Sequence, residues 1–360
     1  MGENNKNTNV QILRGWAILL VMLMHMPLIL SQPAADYYCT HLLKHIHPAV
    51  GVDLFFVISG YLMGKTFLQK TATTSISIFE NTLSFYRRRF LRLIPGAYFW
   101  ALATLLMGLL FHDASIWLDS HSLINKFFCS LAFTRNFEES IKPTHLGYYW
   151  SLAVEAQFYL LLPLAWFSLN RKPFWLLVSG LFLLGFFWRP GGANWWLFRY
   201  DGLLMGLLLW RITQQESWRE SVQLIIPKDK WLILFTVLLS LCTICVLPIA
   251  IGNIPTVYSG VVGLICGYIM LIAVFQNENI MVSSAFSNFL EFIGEISYSI
   301  YLSHIPVWLL VKEIINKLGL NLSLPLYLVL ALSSSLLAGW LSYKYVERAF
   351  TLKKQSPIGA

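Results

Sequence analysis

The chain has 360 residues, of which 57% are hydrophobic and 12% charged, and its formal net charge is +8. Soluble domains carry about 25% charged residues, so this composition excludes an ordinary soluble protein and predicts a polytopic membrane protein. Basic cytoplasmic loops account for the positive charge, and we expect no nucleic-acid partner. The five cysteines suggest no disulfide framework; Cys39 and Cys129 are the one candidate pair.

Apolar runs of about 20 residues predict an all-α fold with about ten transmembrane helices. Their predicted ranges are 12–30, 48–65, 94–111, 148–167, 173–188, 196–211, 231–249, 257–275, 290–310 and 325–345. An even number of spans puts both termini on one side. Placing them in the cytoplasm assigns most of the 26 lysines and arginines to that side, as the positive-inside rule requires.

This topology predicts one transmembrane domain at 8–348 and a short cytoplasmic tail at 349–360. It also predicts a basic inner loop at 66–93 and a long outer loop at 112–147. Within the outer loop, residues 116–134 are partly apolar and are predicted to form an amphipathic helix on the membrane surface.

The first predicted helix contains the segment "RGWAILLVMLMH", which begins with Arg14 and ends with His25. At 100° per residue the two side chains lie within about 20° of each other on one helix face, roughly 16 Å apart along the axis. Arg14 lies at the cytoplasmic end, where snorkelling to lipid phosphates is an alternative to ligand binding. His25 lies in the outer half, where a buried histidine is either a packed core residue or a functional group.

Three further segments place polar residues in apolar helices or just before one. In "GVDLFFVISGYLM", Asp53 is a candidate to orient His25, or a helix cap. In "FYRRRFLRLIPGAYFW", Arg88, Arg89 and Arg92 form either an anion site or a positive-inside anchor, and Arg89 and Arg92 share a face. In "GYYWSLAVEAQFYLLLP", Glu155 is a candidate functional carboxylate with Trp150 beside it.

The later helices add candidates for contact with a substrate. Arg199 is predicted to pair with Asp201, and Gly202 and Gly206 have the spacing of a helix-packing motif. Tyr301 and His304 lie three residues apart on one face of the ninth predicted helix. The histidines of "HLLKHIHP" (41–48) have metal-like spacing, but few carboxylates accompany them, and we expect no metal.

These motifs, in this order, resemble the membrane acyltransferase-3 family over about residues 8–348. The resemblance implies transfer of an acyl group, most often acetyl from acetyl-CoA, to a hydroxyl of a surface polysaccharide. Stand-alone members that modify the O-antigen of lipopolysaccharide are the expected type, in the bacterial inner membrane. The family's functional arginines and histidine correspond to Arg14, His25, Arg89 and Arg92.

The resemblance and the predicted topology together indicate a mechanism. Acyl-CoA phosphates would dock on Arg14, Arg88, Arg89 and Arg92, and His25 would act as general base on the acceptor hydroxyl. Asp53 would orient His25, and Glu155, Tyr301 or a backbone amide would stabilise the oxyanion. Trp150, His304 and Arg199 would contact the substrate. The expected partners are acyl-CoA, a lipid-linked or nascent polysaccharide and membrane lipid. A transporter or proton relay is the alternative for such buried polar groups, although no inverted repeat is visible.

Overall fold

The computed structural model describes residues 7–73, 77–111, 116–137, 145–187, 199–251, 258–276, 278–281 and 283–352. The regular structure of these residues is helical and includes no β-strand. Their α-helices are α1 (Thr8–His25), α2 (Gln32–Tyr38), α3 (Gly51–Met63), α4 (Gln69–Thr73), α5 (Ile78–Leu110), α6 (Ser120–Leu131), α7 (Tyr149–Ser168), α8 (Arg171–Phe187), α9 (Asp201–Thr213), α10 (Glu216–Ile225), α11 (Lys230–Ala250), α12 (Tyr258–Phe275), α13 (Ser284–Glu295), α14 (Ser297–Lys317), α15 (Leu324–Ser342) and α16 (Arg348–Leu352).

Six helical stretches in the described residues are long and apolar enough to cross a membrane. They are Thr8–Leu28, Pro48–Thr71, Phe79–Leu110, Tyr149–Ser168, Lys230–Ala250 and Leu324–Phe350. A shorter apolar helix covers Gly260–Phe275. The predicted all-α polytopic membrane protein is therefore confirmed, whereas the number of ten spans and their orientation stay predictions.

The predicted boundary of the inner loop was wrong. The segment 66–93 is largely helical, because α5 begins at Ile78 and carries the arginine cluster within a single 33-residue helix. Arginine and leucine are good helix formers, so the stretch before Pro95 continues the helix. The start of the sixth predicted helix (196–198) and most of the predicted tail (353–360) lie outside the described residues.

The ninth predicted helix, 290–310, is two helices. α13 ends at Glu295 and α14 begins at Ser297, with Ile296 between them outside helical geometry (φ −95°, ψ 8°). Gly294 at the end of α13 lies against α1: a Cβ there would be 1.8 Å from the carbonyl oxygen of Gln11. This close backbone contact holds the end of α13 in place, a tertiary constraint that hydropathy does not register.

The chain divides into two compact units. The first comprises Met1–Val21, Leu43–Leu83 and Leu160–Glu295, and the second comprises Met22–Leu42, Ser84–Tyr159 and Ile296–Ala360. In the first unit, α3 and α9 pack most closely, because glycines replace side chains at their contact. A Cβ on Gly60 would lie 2.0 Å from the Leu203 carbonyl oxygen, and one on Gly206 would lie 2.1 Å from that of Val57. The predicted packing role of Gly206 is confirmed.

In the second unit, α14 packs against α15 and α5. Gly339 of α15 lies against Ile300 of α14. A Cβ on Gly339 would lie only 2.5 Å from the Ile300 side chain. The indole N–H of Trp308 donates to the Ser335 hydroxyl across the same contact, at 2.8 Å. Hydrogen bonds and small residues thus fix α14, which carries His304, in a single position.

The predicted surface segment at 116–134 contains α6, whose N-terminus is capped by Asp119. The carboxylate accepts from the Ser122 N–H at 2.9 Å, the usual role of aspartate at this position. Cys39 and Cys129 are free thiols in the structure, so the suggested disulfide is not formed.

Candidate active site

The two histidines singled out in α1 and α14 form a pair in the second unit. Nδ1 of His25 lies 3.0 Å from Nε2 of His304, and their ring centroids are 5.2 Å apart. His25 is the last residue of α1 and is followed by a 3-10 turn, Met26–Leu28. The helix end places the imidazole beside the middle of α14.

The hydrogen-bond network defines the tautomer of each ring. Nδ1 of His304 lies 2.8 Å from the Tyr301 carbonyl oxygen and 3.1 Å from that of Ile300. Carbonyl oxygens only accept, so His304 carries its proton on Nδ1 and has a lone pair on Nε2. His25 must then donate from Nδ1, which leaves its own Nε2 unprotonated. An unprotonated, oriented nitrogen is what a general base requires.

Exposure distinguishes the roles of the two rings. His304 is 0% exposed, whereas His25 is partly accessible. His25 thus keeps some accessible surface, and His304 keeps none. This geometry favours contact with the reacting group for His25 and a supporting role for His304, which the sequence suggested as a substrate contact.

Tyr148 packs against His304 and is hydrogen-bonded to α14. Pro306 has no N–H to offer the carbonyl of Leu302 one turn earlier in α14, and the Tyr148 hydroxyl donates to that carbonyl instead, at 2.7 Å. The Tyr148 ring meets the His304 ring edge to face, 5.6 Å between centroids. Tyr148 was missed in the sequence analysis. Two sequence features could have indicated its role: the tyrosines at the start of α7 and the proline inside α14, which leaves a backbone carbonyl without its usual N–H.

The hydroxyl of Tyr301 has two partners within the protein. Its hydroxyl lies 2.8 Å from the Tyr148 carbonyl oxygen, to which it donates, and 2.6 Å from the Ser151 hydroxyl. These partners tie the start of α7 to α14. The suggested part of Tyr301 in oxyanion stabilisation stays a prediction, and its hydroxyl proton already has an acceptor.

Asp53 and Arg199 form a buried ion pair in the first unit. Each residue is 5% exposed, and the pair joins the first turn of α3 to the residues just before α9. The sequence suggested Asp201 as the partner of Arg199 and His25 as the partner of Asp53. The structure pairs Arg199 with the carboxylate of Asp53 and places His25 against His304, and the pair of Arg199 with Asp201 stays a prediction.

The arginines of α5 differ in their surroundings. Arg87 and Arg88 are exposed, whereas Arg89 and Arg92 are half-buried, as expected for residues that share a face. The guanidinium carbon of Arg89 lies 5.4 Å from the Tyr159 ring centroid and 5.7 Å from that of Phe85. These aromatic faces hold the cation in one place.

Glu155 belongs to the same cluster. It accepts a hydrogen bond from the Tyr159 hydroxyl at 2.6 Å, and Tyr159 in turn contacts Arg89. Glu155 is thereby linked to the arginine side of α7. Trp150, in the first turn of α7, is only 7% exposed.

Arg14 is 9% exposed, which disfavours simple snorkelling of its guanidinium to the surface. Next to it, Gly15 lies so close to α13 that a Cβ would be 2.4 Å from the Leu290 carbonyl oxygen. The close approach of the two helices buries the arginine.

The described residues contain no group of three or more side chains suited to a metal ion. The ring of His41, from the histidine-rich segment, stacks on Tyr37 with 4.0 Å between centroids. Its Nδ1 lies 2.9 Å from the Tyr37 carbonyl oxygen, a local contact within one turn.

Comparison with known proteins finds similarity to acyltransferases. A family model described as an acyltransferase domain matches residues 7–344. Peptidoglycan O-acetyltransferase OatA of Listeria monocytogenes is 29% identical over 331 residues, which cover 83% of this chain and 50% of that protein. O-acetyltransferase OatA of Staphylococcus aureus is 28% identical over 331 residues, covering 83% of this chain and 52% of that protein. The chain spans about half the length of these curated relatives, and no solved structure matches it.

Proposed function

Because this chain belongs to the acyltransferase-3 family, we propose that it transfers an acetyl group from acetyl-CoA to a hydroxyl of a cell-surface glycan. The O-antigen of lipopolysaccharide is the acceptor we favour. The observation that carries the chemistry is the hydrogen bond from His25 to His304, which leaves Nε2 of the partly accessible His25 unprotonated and able to take a proton.

The reaction needs one proton carrier and no redox step. Nε2 of His25 takes the proton of the glycan hydroxyl as the hydroxyl oxygen attacks the thioester carbonyl carbon. The carbon–sulfur bond then breaks, and the departing thiolate recovers the proton from His25. The products are the glycan ester and free CoA. His304 is a positioning residue: its Nε2 accepts from His25 and stabilises the imidazolium that forms.

The donor is proposed to bind through the arginines of α5. Arg89 and Arg92 present half-buried guanidinium groups on one helix face, and Arg88 lies beside them. Guanidinium groups bind phosphate bidentately, which suits a cofactor with several phosphates. Tyr159 and Glu155 hold Arg89 from α7, so the role proposed for Glu155 is support of this site. Arg14 is the candidate from α1.

Asp53, Trp150, Tyr301 and Arg199 are further candidates. The ion pair between Asp53 and Arg199 supports a structural role for both, since each satisfies the charge of the other. Contact of Trp150 or Tyr301 with the acceptor is part of the proposal, and their places at the start of α7 and in the middle of α14 support it.

A second glycan is a candidate for the acceptor of the acetyl group. One relative is named a peptidoglycan O-acetyltransferase, which favours peptidoglycan as the second candidate acceptor. The test compares a gene deletion with the complemented strain and measures O-acetyl signals by NMR in purified lipopolysaccharide and peptidoglycan separately. Loss of signal from lipopolysaccharide alone is expected, loss from peptidoglycan alone selects the second acceptor, and no loss from either contradicts glycan acetylation.

The same experiment includes a variant that separates chemistry from expression. Complementation with His25→Ala should leave the glycan unacetylated while the variant reaches the membrane at the wild-type level. Purified protein should also bind acetyl-CoA, which a transporter of unrelated solutes should not do. Normal acetylation by His25→Ala would contradict the proposed general base.

A further inference from the structure

A pocket of about 540 Å³ opens in the first unit where α8 begins and α9 ends. Six of its lining residues are the cations Arg171, Lys172 and Arg211 and the indoles Trp166, Trp175 and Trp210. Neither the proposed general base nor the arginines of α5 contribute to it. The pocket therefore calls for an explanation of its own.

The charges in the pocket are of one sign. Three cationic side chains line it, and its described lining contains no carboxylate. Arg171 and Lys172 are exposed, and Arg211 is half-buried. Three cations brought together without an anion repel one another, and a bound anion would remove that cost. The ligand that suits this lining is negatively charged.

The aromatic wall is rigid. Trp175 and Trp210 stack with 6.3 Å between ring centroids, and the guanidinium carbon of Arg211 lies 5.6 Å from the Trp175 centroid. Trp210 packs directly on Gly64, where a Cβ would lie 2.5 Å from the indole ring. The tryptophans and Arg211 thus form a fixed surface rather than a set of mobile side chains.

We propose that this pocket binds the phosphate headgroup of an anionic phospholipid. Tryptophan rings combined with lysine and arginine side chains are the pattern of the membrane–water interface. Leu176, which also lines the pocket, is an exposed apolar residue and would contact the acyl chains. Phosphate chemistry is shared with soluble nucleotides, but an opening among exposed apolar side chains of membrane helices favours a ligand that arrives through the bilayer.

This lipid site is independent of the proposed acyl transfer. It predicts that the protein retains lipids carrying a net negative charge in preference to zwitterionic ones. It also ties the beginning of α8 and the end of α9 to the lipid surface, so bound lipid should stabilise the contact between these two helices.

The test measures lipid retention on the full chain by native mass spectrometry, with phosphatidylglycerol and phosphatidylcholine as the two probes. The variant carries Arg171→Ala, Lys172→Ala and Arg211→Ala together. We expect its affinity for phosphatidylglycerol to fall roughly 10²-fold, about five-fold for each cation lost near the surface. The matched control, Lys228→Ala with Lys230→Ala, removes exposed cations outside the pocket and should bind as wild type.

Two further arms keep the result interpretable. Arg211→Lys retains the charge, so most of the binding should remain, and a melting curve in zwitterionic detergent verifies that each variant is folded. Equal retention of both lipids by the wild type, or unchanged binding by the triple variant, would overturn the proposal. Displacement of phosphatidylglycerol by micromolar adenosine 3′,5′-bisphosphate would also overturn it, since the site would then serve a soluble nucleotide.

Discussion

Nδ1 of His25 donates a hydrogen bond to Nε2 of His304 over 3.0 Å, and His304 donates its own Nδ1 proton to the backbone of α14. A neutral imidazole thus takes the position that a carboxylate holds in many catalytic triads. His304 orients His25 through a chain of bonds that ends on a helix backbone. His304 is fixed by the backbone of α14, and His25 is the partly accessible member of the pair.

The first prediction concerns His25 itself. Replacing it by alanine or glutamine should lower acetylation about 10²- to 10⁴-fold, the usual contribution of a general base. Membrane level and acetyl-CoA affinity should stay near wild type, because His25 is partly accessible and makes no proposed contact with the phosphates. The measurement is glycan O-acetyl content per unit of inserted protein. His41→Ala, at an exposed histidine, is the control and should be fully active.

The second prediction separates positioning from chemistry. His304→Leu removes the acceptor for His25, so the His25 ring can protonate on Nε2 instead and lose its function as a base. We expect kcat to fall by a smaller factor than in His25→Ala, with KM for acetyl-CoA unchanged. His304→Gln should restore part of the activity, since its amide oxygen can accept. Wild-type kcat and an unaltered pH–rate profile in His304→Leu would show that the pair has no part in catalysis.

The third prediction concerns the ion pair between Asp53 and Arg199. Removing one partner takes away charge compensation that the other has in a buried site, a loss of up to about 3–5 kcal/mol, so Asp53→Asn and Arg199→Gln should each lower the melting temperature and the membrane level. The double variant removes both charges of this pair and should lose less stability than the two single variants added together. Additive losses in this double-mutant cycle would show that the pair is not coupled.

Several parts of the fold followed from the sequence because they depend on local pattern. Apolar length predicts most of the transmembrane helices, and the start of α7 lies within one residue of the predicted position. The spacing of Gly202 and Gly206 alone predicts their role in helix packing. The structure places them against Phe56 and Val57 of α3.

The partners of polar residues could not be predicted in the same way. Asp53 has several suitable cations along the chain, and only the packing of α3 against α9 determines that Arg199 is the one it meets. The pairing of His25 with His304 was accessible in principle, because the predicted topology puts both in the outer half of their helices. The sequence indicates how deep a residue lies in the membrane. It does not indicate which faces of two helices are turned towards each other.

The fourth prediction tests the donor site on α5. Arg89→Ala and Arg92→Ala should each weaken acetyl-CoA binding by about 1.5–3 kcal/mol, the usual value for a hydrogen bond to a charged group. Lysine at either position should recover only part of the affinity, because the planar fork is lost. Arg87→Ala removes an exposed charge from the same helix and should bind as wild type. Equal, small losses in all three alanine variants would indicate a general positive-inside anchor.

The last prediction concerns pH and the segment before α7. His145 is 4% exposed, and its Nε2 accepts a hydrogen bond from the Leu118 N–H at 3.1 Å. Burial lowers the pKa of His145 from 6.5 to about 4. Between these values the unfolded chain binds a proton that the folded chain does not, so the free energy of unfolding decreases as the pH falls from 6.5 towards 4.

The full effect of His145 is on the order of 3 kcal/mol and is absent above pH 7, where both states are neutral. We expect amide exchange at Leu118 to accelerate over this pH window, once corrected for intrinsic exchange, because a protonated ring cannot accept from that N–H. His145→Gln offers an amide oxygen as acceptor and does not titrate, so the acceleration should disappear. Protection at Leu118 that is independent of pH in the wild type would show that this bond does not hold the segment.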